Sequence, residues 1–321
     1  MSINILKEIK NDNEEMRSAM CETMIELAEK NDNIILLDAD LMTAMGTKPF
    51  QKKFPDRAVD VGIQEANMVG VAAGLSVAGK IPFAHTFAPF MTRRALDQVF
   101  ISAAYAKLNV KLIGSDPGIT ASLNGGTHMP FEDMGIMRLI PQATVIEPTD
   151  TVQLKNILKQ IVDIYGVHYL RVVRKTTPRV YEDGSTFTIG KSVLLRDGSD
   201  VSIIASGYLV SQALEAANLL AEENISARVI DMFTWKPIDE EAIVASADKT
   251  GAIVTAENHN IVGGLGAAVS NVLVSNKPVP VEMVGVHDQF GEVGPVGYLA
   301  ERYGLTASDI VKASKRAIKR K

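Results

Sequence analysis

Several residues in the first 130 positions have types and spacing that could do chemistry. Glu65 follows a short β-branched run, Val59, Val61 and Ile63. An acid there could hold or move a proton, or it could satisfy the free N–H groups at a helix start. Phe87 and Phe90 stand three apart, as a wall for a flat ring or as core. Arg93 and Arg94 follow, either as anion contacts or as surface residues. His128 closes a loop, Asn124-Gly125-Gly126-Thr127-His128, where an imidazole can donate or shuttle a proton. A lone histidine is more often structural. Asp38-Ala39-Asp40 ends another apolar run, and such a pair commonly makes a turn and a helix cap.

The elements that must position these residues can be read around them. Residues 66–78 are small and apolar at helical length, and residues 81–85 form an extended run. A strand, an acid at its carboxyl end and a helix wet on almost no side suggest a buried α/β site. Open α/β sheets bind ligands beyond the carboxyl ends of their strands, where Glu65 would sit. An amphipathic first helix carries Met16, Met20 and Met24, with Cys21 as a packed side chain. Strands are expected at 34–37, 110–113, 143–146 and 167–173, with helices at 96–108 and 154–165. Residues 119–133 make a long polar loop, a length that is usually functional. Alternation restarts with strands at 201–205, 227–230, 252–255 and 279–284, each followed or preceded by a helix. This pattern predicts two α/β domains with mainly parallel, doubly wound sheets. The expected boundaries are 1–178, a linker at 179–190, and 191–321.

Composition narrows the class. At 321 residues the chain has room for about two domains. A net charge of −5 gives no reason to expect nucleic acid as a partner. The longest apolar stretch is too short to span a bilayer, and the first residues lack a secretory signal. No membrane role is expected, and the cytosol is the expected address. One cysteine excludes an internal disulfide framework and a cysteine-cluster metal site, so no metal ligands are assigned to this chain. Gly263-Gly264-Leu265-Gly266 could cradle an anion at a helix start or permit close packing.

GIQEANMVGVAAGL followed by HTFAPFMTRRALDQV resembles the pyrimidine-binding domain of transketolases, which use thiamine diphosphate. The likeness runs from about Arg17 to about Ile318 and, more narrowly, is similar to the separately encoded C-terminal half of two-subunit transketolases. The resemblance implies that Glu65 activates the cofactor, that Phe87 and Phe90 hold its pyrimidine, and that Asp40 lies near the thiamine site. It implies that His128 reaches the substrate's oxygens and that Arg174, with Arg17 less surely, meets a substrate phosphate. The family's Gly-Asp-Gly…Asn signature for Mg2+ and the diphosphate has no counterpart here, so an N-terminal partner subunit is expected to carry it. The expected assembly is a heterotetramer in which this chain also self-associates as a dimer.

The chain departs from the family where substrates bind. Asn124 stands for an acid, Asp116 for a phosphate-binding histidine, and Ala44 for a phosphate-binding serine, while Arg93 replaces an aromatic residue. These changes point to a sugar substrate with an unusual donor, branched, modified or differently charged. Two other enzymes of this architecture compete with that reading: the β subunit of a 2-oxo acid dehydrogenase and a 1-deoxyxylulose-5-phosphate synthase-like carboligase. A non-catalytic homologue is the alternative from another class. His259, His287 and Asp288 have no assigned role.

Overall fold

The structure is a computed structural model that describes residues 3–321, so the first two positions of the expected 1–178 domain lie outside the described residues. The strands of the first half are β1 (Ile5–Asn11), β2 (Ile34–Asp38), β3 (Ala58–Asp60), β4 (Ile81–Phe87), β5 (Lys111–Ser115), β6 (Thr144–Ile146), β7 (His168–Val172) and β8 (Pro178–Tyr181). Those of the second half are β9 (Val193–Arg196), β10 (Val201–Ala205), β11 (Ala227–Asp231), β12 (Thr234–Lys236), β13 (Ile253–Asn260) and β14 (Val281–Val286). One sheet has the order β12-β6-β7-β5-β4-β2-β3, parallel except where β12 meets β6. The other has the order β14-β13-β10-β11-β9, parallel except for β9. The expected α/β class with mainly parallel sheets is what the chain adopts.

Burial on both faces explains the apolar runs. Every residue of β2 is buried. Side chains alternate across a strand: Ile34 and Leu36 join one core with Met16, Met20 and Met24, while Ile35 and Leu37 join another with Met68, Val69 and Ala72. A strand with helices on both sides needs an unbroken apolar sequence rather than an alternating one. Each such side chain contributes about 2 kcal/mol on burial.

Four features depart from expectation. The helix expected at 66–78 runs Glu65–Val77, and it is not wet on almost no side: Asn67, Gly70, Gly74 and Val77 form an exposed stripe. Small residues made it look buried on every side. The helix expected at 96–108 is a short α-turn, Leu96–Gln98, between π-helical stretches Phe90–Arg94 and Val99–Tyr105. The expected linker opens on β8, which pairs antiparallel with β1. Buried Asp150 secures it: one carboxylate oxygen caps the Thr151–Ile161 helix at Gln153 N, and the other accepts from Val180 N and Tyr181 N. Finally, β12 leaves the second half of the chain and extends the first sheet.

Candidate active site

Because β2, β4, β5 and β7 are parallel and in register, their carboxyl ends reach one edge of the sheet together. That edge carries Asp38, Phe87, Ser115 with Asp116, and Val172 with Arg174 two residues beyond it. The turn after β3 brings Glu65 to the same side as the first residue of its helix.

Glu65 is 2% exposed. Its Oε1 accepts a hydrogen bond from Arg94 Nη1 at 2.8 Å, while its Oε2 is buried without a partner. The same guanidinium lies 4.0 Å from the Phe90 ring centroid. The π-helical turn Phe90–Arg94 is the backbone that folds Arg94 back over both groups, and π-turns recur at functional sites. Phe87 and Phe90 have centroids 5.9 Å apart, and the His128 ring stands edge-on to them at 5.8 and 5.1 Å. His128 Nδ1 is 2.8 Å from Thr127 Oγ1. Arg93 donates from Nη2 to Thr127 O at 3.1 Å and pairs through Nε with Glu132 at 3.0 Å, so it clamps the histidine loop. Gly126 is required in that loop, since a Cβ there would lie 2.2 Å from Gly291 O.

Asp116 and Arg174 form a second group beside the first. Arg174 Nε donates to Asp116 Oδ1 at 2.7 Å, its Nη2 lies 2.6 Å from Oδ2, and its guanidinium is 4.9 Å from the Phe87 centroid. Asp116 is buried, which pushes its pKa up, while Arg174 works in the opposite direction. Its φ of 57° is in the left-handed region, a strained conformation for aspartate. Asn124 is exposed on the wall of a cavity that this pair also lines. Arg17 binds Ala44 O and Glu15.

Asp40 is exposed, and its backbone N–H donates to Asp60 Oδ1. The buried acid of that turn is Asp38. Its Oδ1 caps Leu41 N, and its Oδ2 lies 3.0 Å from His85 Nδ1. Sequence reasoning missed this pair and the Arg94 contact; the helical spacing of Phe90 and Arg94 was the signal for the latter.

A closed polar cluster joins the two halves of the chain. Arg171 is fully buried and binds Asp133 (2.9 Å), Glu147 (2.7 Å) and Asn258 O (3.0 Å). Burial works against its charge, but the two carboxylates outweigh burial and push its pKa up. Tyr169 Oη donates to Asp133, and Trp235 Nε1 donates to Ser206, which reaches Glu147. The glycine cluster proves to be filled from within: Glu257 accepts from Leu265 N at 2.6 Å and Gly266 N at 2.9 Å. A Cβ on Gly264 would fall 1.9 Å from Glu257 Oε2. Burial pushes Glu257 up to about 8, against the two N–H bonds. His259 lies between halves, its Nδ1 2.6 Å from Asn260 O and its Nε2 accepting from Gly135 N at 3.2 Å. That pattern belongs to a neutral ring, and burial lowers its pKa to about 4. His287 and Asp288 are exposed. Among the described residues, no group of three or more His, Cys, Asp or Glu is placed to hold a metal ion, and no helix is long and apolar enough to cross a membrane.

Fold and site thus define an α/β chain that presents a buried carboxylate, an aromatic pair and a histidine at one sheet edge. The transketolase pyrimidine-binding domain matches residues 13–179 and the transketolase C-terminal domain matches residues 190–310. The chain belongs to the transketolase family. It is 52% identical over 314 residues to a 6-deoxy-6-sulfo-D-fructose transketolase subunit of Clostridium sp. (strain MSTE9), covering 98% of each chain. It is 43% identical over 300 residues to a putative transketolase C-terminal section of Methanocaldococcus jannaschii, covering 92% of this chain and 94% of that one. A solved structure described as a split gene transketolase, inactive beta4 tetramer, aligns with a TM-score of 0.90 at 44% identity, over 96% of this chain and 99% of that one. In extent and fold the chain is a transketolase subunit of the C-terminal kind.

Proposed function

We propose that this chain, joined to an N-terminal subunit, transfers a two-carbon ketol unit between sugars with thiamine diphosphate as cofactor. The observation that carries the reading is the buried, unpartnered Oε2 of Glu65, whose carboxylate is tied through Arg94 to Phe90, the ring that neighbours Phe87 and His128. A buried carboxyl oxygen without a partner can share a proton with the ring nitrogen of a pyrimidine, and the phenylalanines fit its flat faces. When bound, the cofactor supplies the activated carbon that carries the ketol unit. Glu65 orients the pyrimidine and holds a proton at its Oε2, with Oε1 kept in place by Arg94. His128, set by Thr127 and the two rings, donates to and accepts from substrate hydroxyl and carbonyl oxygens. Mg2+ and the diphosphate are assigned to the partner, which brings the Gly-Asp-Gly…Asn motif, and two copies of each chain make the working assembly in the cytoplasm.

The donor we assign is a ketose with a modified far end. The Clostridium relative is named for 6-deoxy-6-sulfo-D-fructose, which is such a sugar. Asn124 and Asp116 on the cavity wall, and Ala44 elsewhere in the chain, lack the groups that the family resemblance associates with an ordinary sugar phosphate. The test is to assemble the chain with its N-terminal partner and titrate thiamine diphosphate by calorimetry, with and without Glu65→Gln. Tight binding and ketol transfer by the wild-type assembly, both weakened in the variant, are expected. Equal binding and turnover in the two proteins would refute the role of Glu65.

A further inference from the structure

A cavity of about 540 Å³ opens beside the candidate site, lined by Asp116, Ser122, Asn124, Arg174, Lys175 and Thr177 among others. It adjoins the reaction edge, because its wall residue Arg174 lies over Phe87, whose ring centroid is 5.8 Å from that of His128. A sugar whose carbonyl lies at the His128 end therefore extends its other end into this cavity. Thr177 contributes a buried hydroxyl without a partner.

The charges around the cavity can be counted. The charged groups on its wall are Arg174, Lys175 and Asp116, and behind the wall Lys175 pairs with Glu15, which Arg17 also holds. Arg174 meets Asp116 through two nitrogens, with the Asp116 side chain 3% exposed. Glu15 is shared between Arg17 at 2.6 Å and Lys175 at 3.3 Å. Three cations against two carboxylates leave one positive charge. Arg174 still has Nη1, the edge that Asp116 does not occupy, to donate to a tetrahedral oxyanion. A second negative charge on that oxyanion would face the Asp116 carboxylate with no cation left to balance it.

We propose that Asp116 is a specificity-determining residue, which by pairing with Arg174 fits the cavity to a donor ending in a singly charged sulfonate rather than a phosphate dianion. This rests on the ketol-transfer reading above. A sulfonate carries one negative charge at every pH of interest, whereas a phosphate monoester carries close to two at neutral pH.

The experiment uses the assembled two-chain enzyme with a common aldehyde acceptor. It compares kcat/KM for 6-deoxy-6-sulfo-D-fructose and D-fructose 6-phosphate, which share the ketose and differ in the terminal group. The wild type is expected to favour the sulfonate by roughly 100-fold, the size of an unbalanced like-charge contact. Asp116→Asn should shrink that ratio about 10-fold or more, mainly through a lower KM for the phosphate, while Asp116→Glu keeps the preference. Equal use of both donors by the wild type overturns the assignment without any variant having to fold. So does a ratio unmoved in a folded Asp116→Asn enzyme. Turnover of the short, uncharged ketose L-erythrulose separates the two failures: if the wild type takes it but shows no sulfonate preference, only the role of Asp116 falls. If no ketose at all is turned over, the ketol-transfer reading falls with it.

Discussion

Two polar clusters in this molecule have similar ingredients and opposite accounts of their bonds. At the seam between the halves, Arg171, Asp133, Glu147 and His259 are buried, and each of their charged or ring atoms has a partner. At the sheet edge, Glu65 is equally buried but keeps one oxygen without a partner, and Arg94 holds the other from a half-exposed position. Buried polar groups are normally satisfied, so a set that is closed on itself reads as architecture. A set that leaves one acceptor free beside two aromatic faces reads as a place for a ligand. The difference is not one of residue type, since both clusters join acids to an arginine.

The sharpest way to break this contrast is at Glu65. Glu65→Gln keeps the shape and the acceptor for Arg94 but cannot hold the proton. Turnover of the assembled enzyme should fall by about 100-fold or more, with an unchanged urea midpoint. A variant that retains a tenth of the activity would remove Glu65 from the chemistry. The seam should respond the other way: Arg171→Met strands two carboxylates and should cost about 3 to 5 kcal/mol of stability, measured by urea unfolding. A variant as stable as the wild type would show that the cluster is not what holds the halves together.

A smaller effect should appear with pH. His259 has a folded pKa of about 4 against an ordinary 6.5. Below pH 6.5 the unfolded chain therefore takes up a proton that the native ring refuses until about pH 4. Stability from this residue is present above 6.5 and is lost as pH falls through that window, about 2 kcal/mol between pH 7 and pH 5. Chemical denaturation of wild type and His259→Gln at the two pH values should show this loss in the wild type and a flatter response in the variant. Arg93→Ala should do least. Its clamp on Thr127 O and Glu132 is half-exposed, so stability should change by about 1 kcal/mol or less. A KM raised a few-fold with kcat nearly constant is expected in steady-state assays.

Much of the fold was legible because the apolar runs are long and unambiguous. Residues 34–37 and 201–205 could only be strands buried on both faces, and the alternation with helices implied parallel sheets. Pairings with distant partners were not legible. β8 looked like linker because its partner β1 lies more than 160 residues earlier, and β12 joins a sheet that its neighbours in sequence do not. The π-helical turn at Phe90–Arg94 has the composition of an ordinary helix, and only its packing against Glu65 reveals it.

The site divides in the same way. Sequence alone determined the chemical types: a carboxylate at a strand-to-helix turn, an aromatic pair, a histidine in a glycine-rich loop, and an aspartate at the end of a strand. Local patterning is sufficient for that, since each feature sits within a few residues of its own turn. Tertiary structure decided which of these groups meet and what charge remains. It set Asp38 rather than Asp40 against His85, filled the glycine cluster with Glu257, and joined Asp116 to Arg174 across 58 positions of sequence. The physical reason is that net charge and unsatisfied hydrogen bonds belong to pairs of groups, and the members of these pairs come from different elements of the fold.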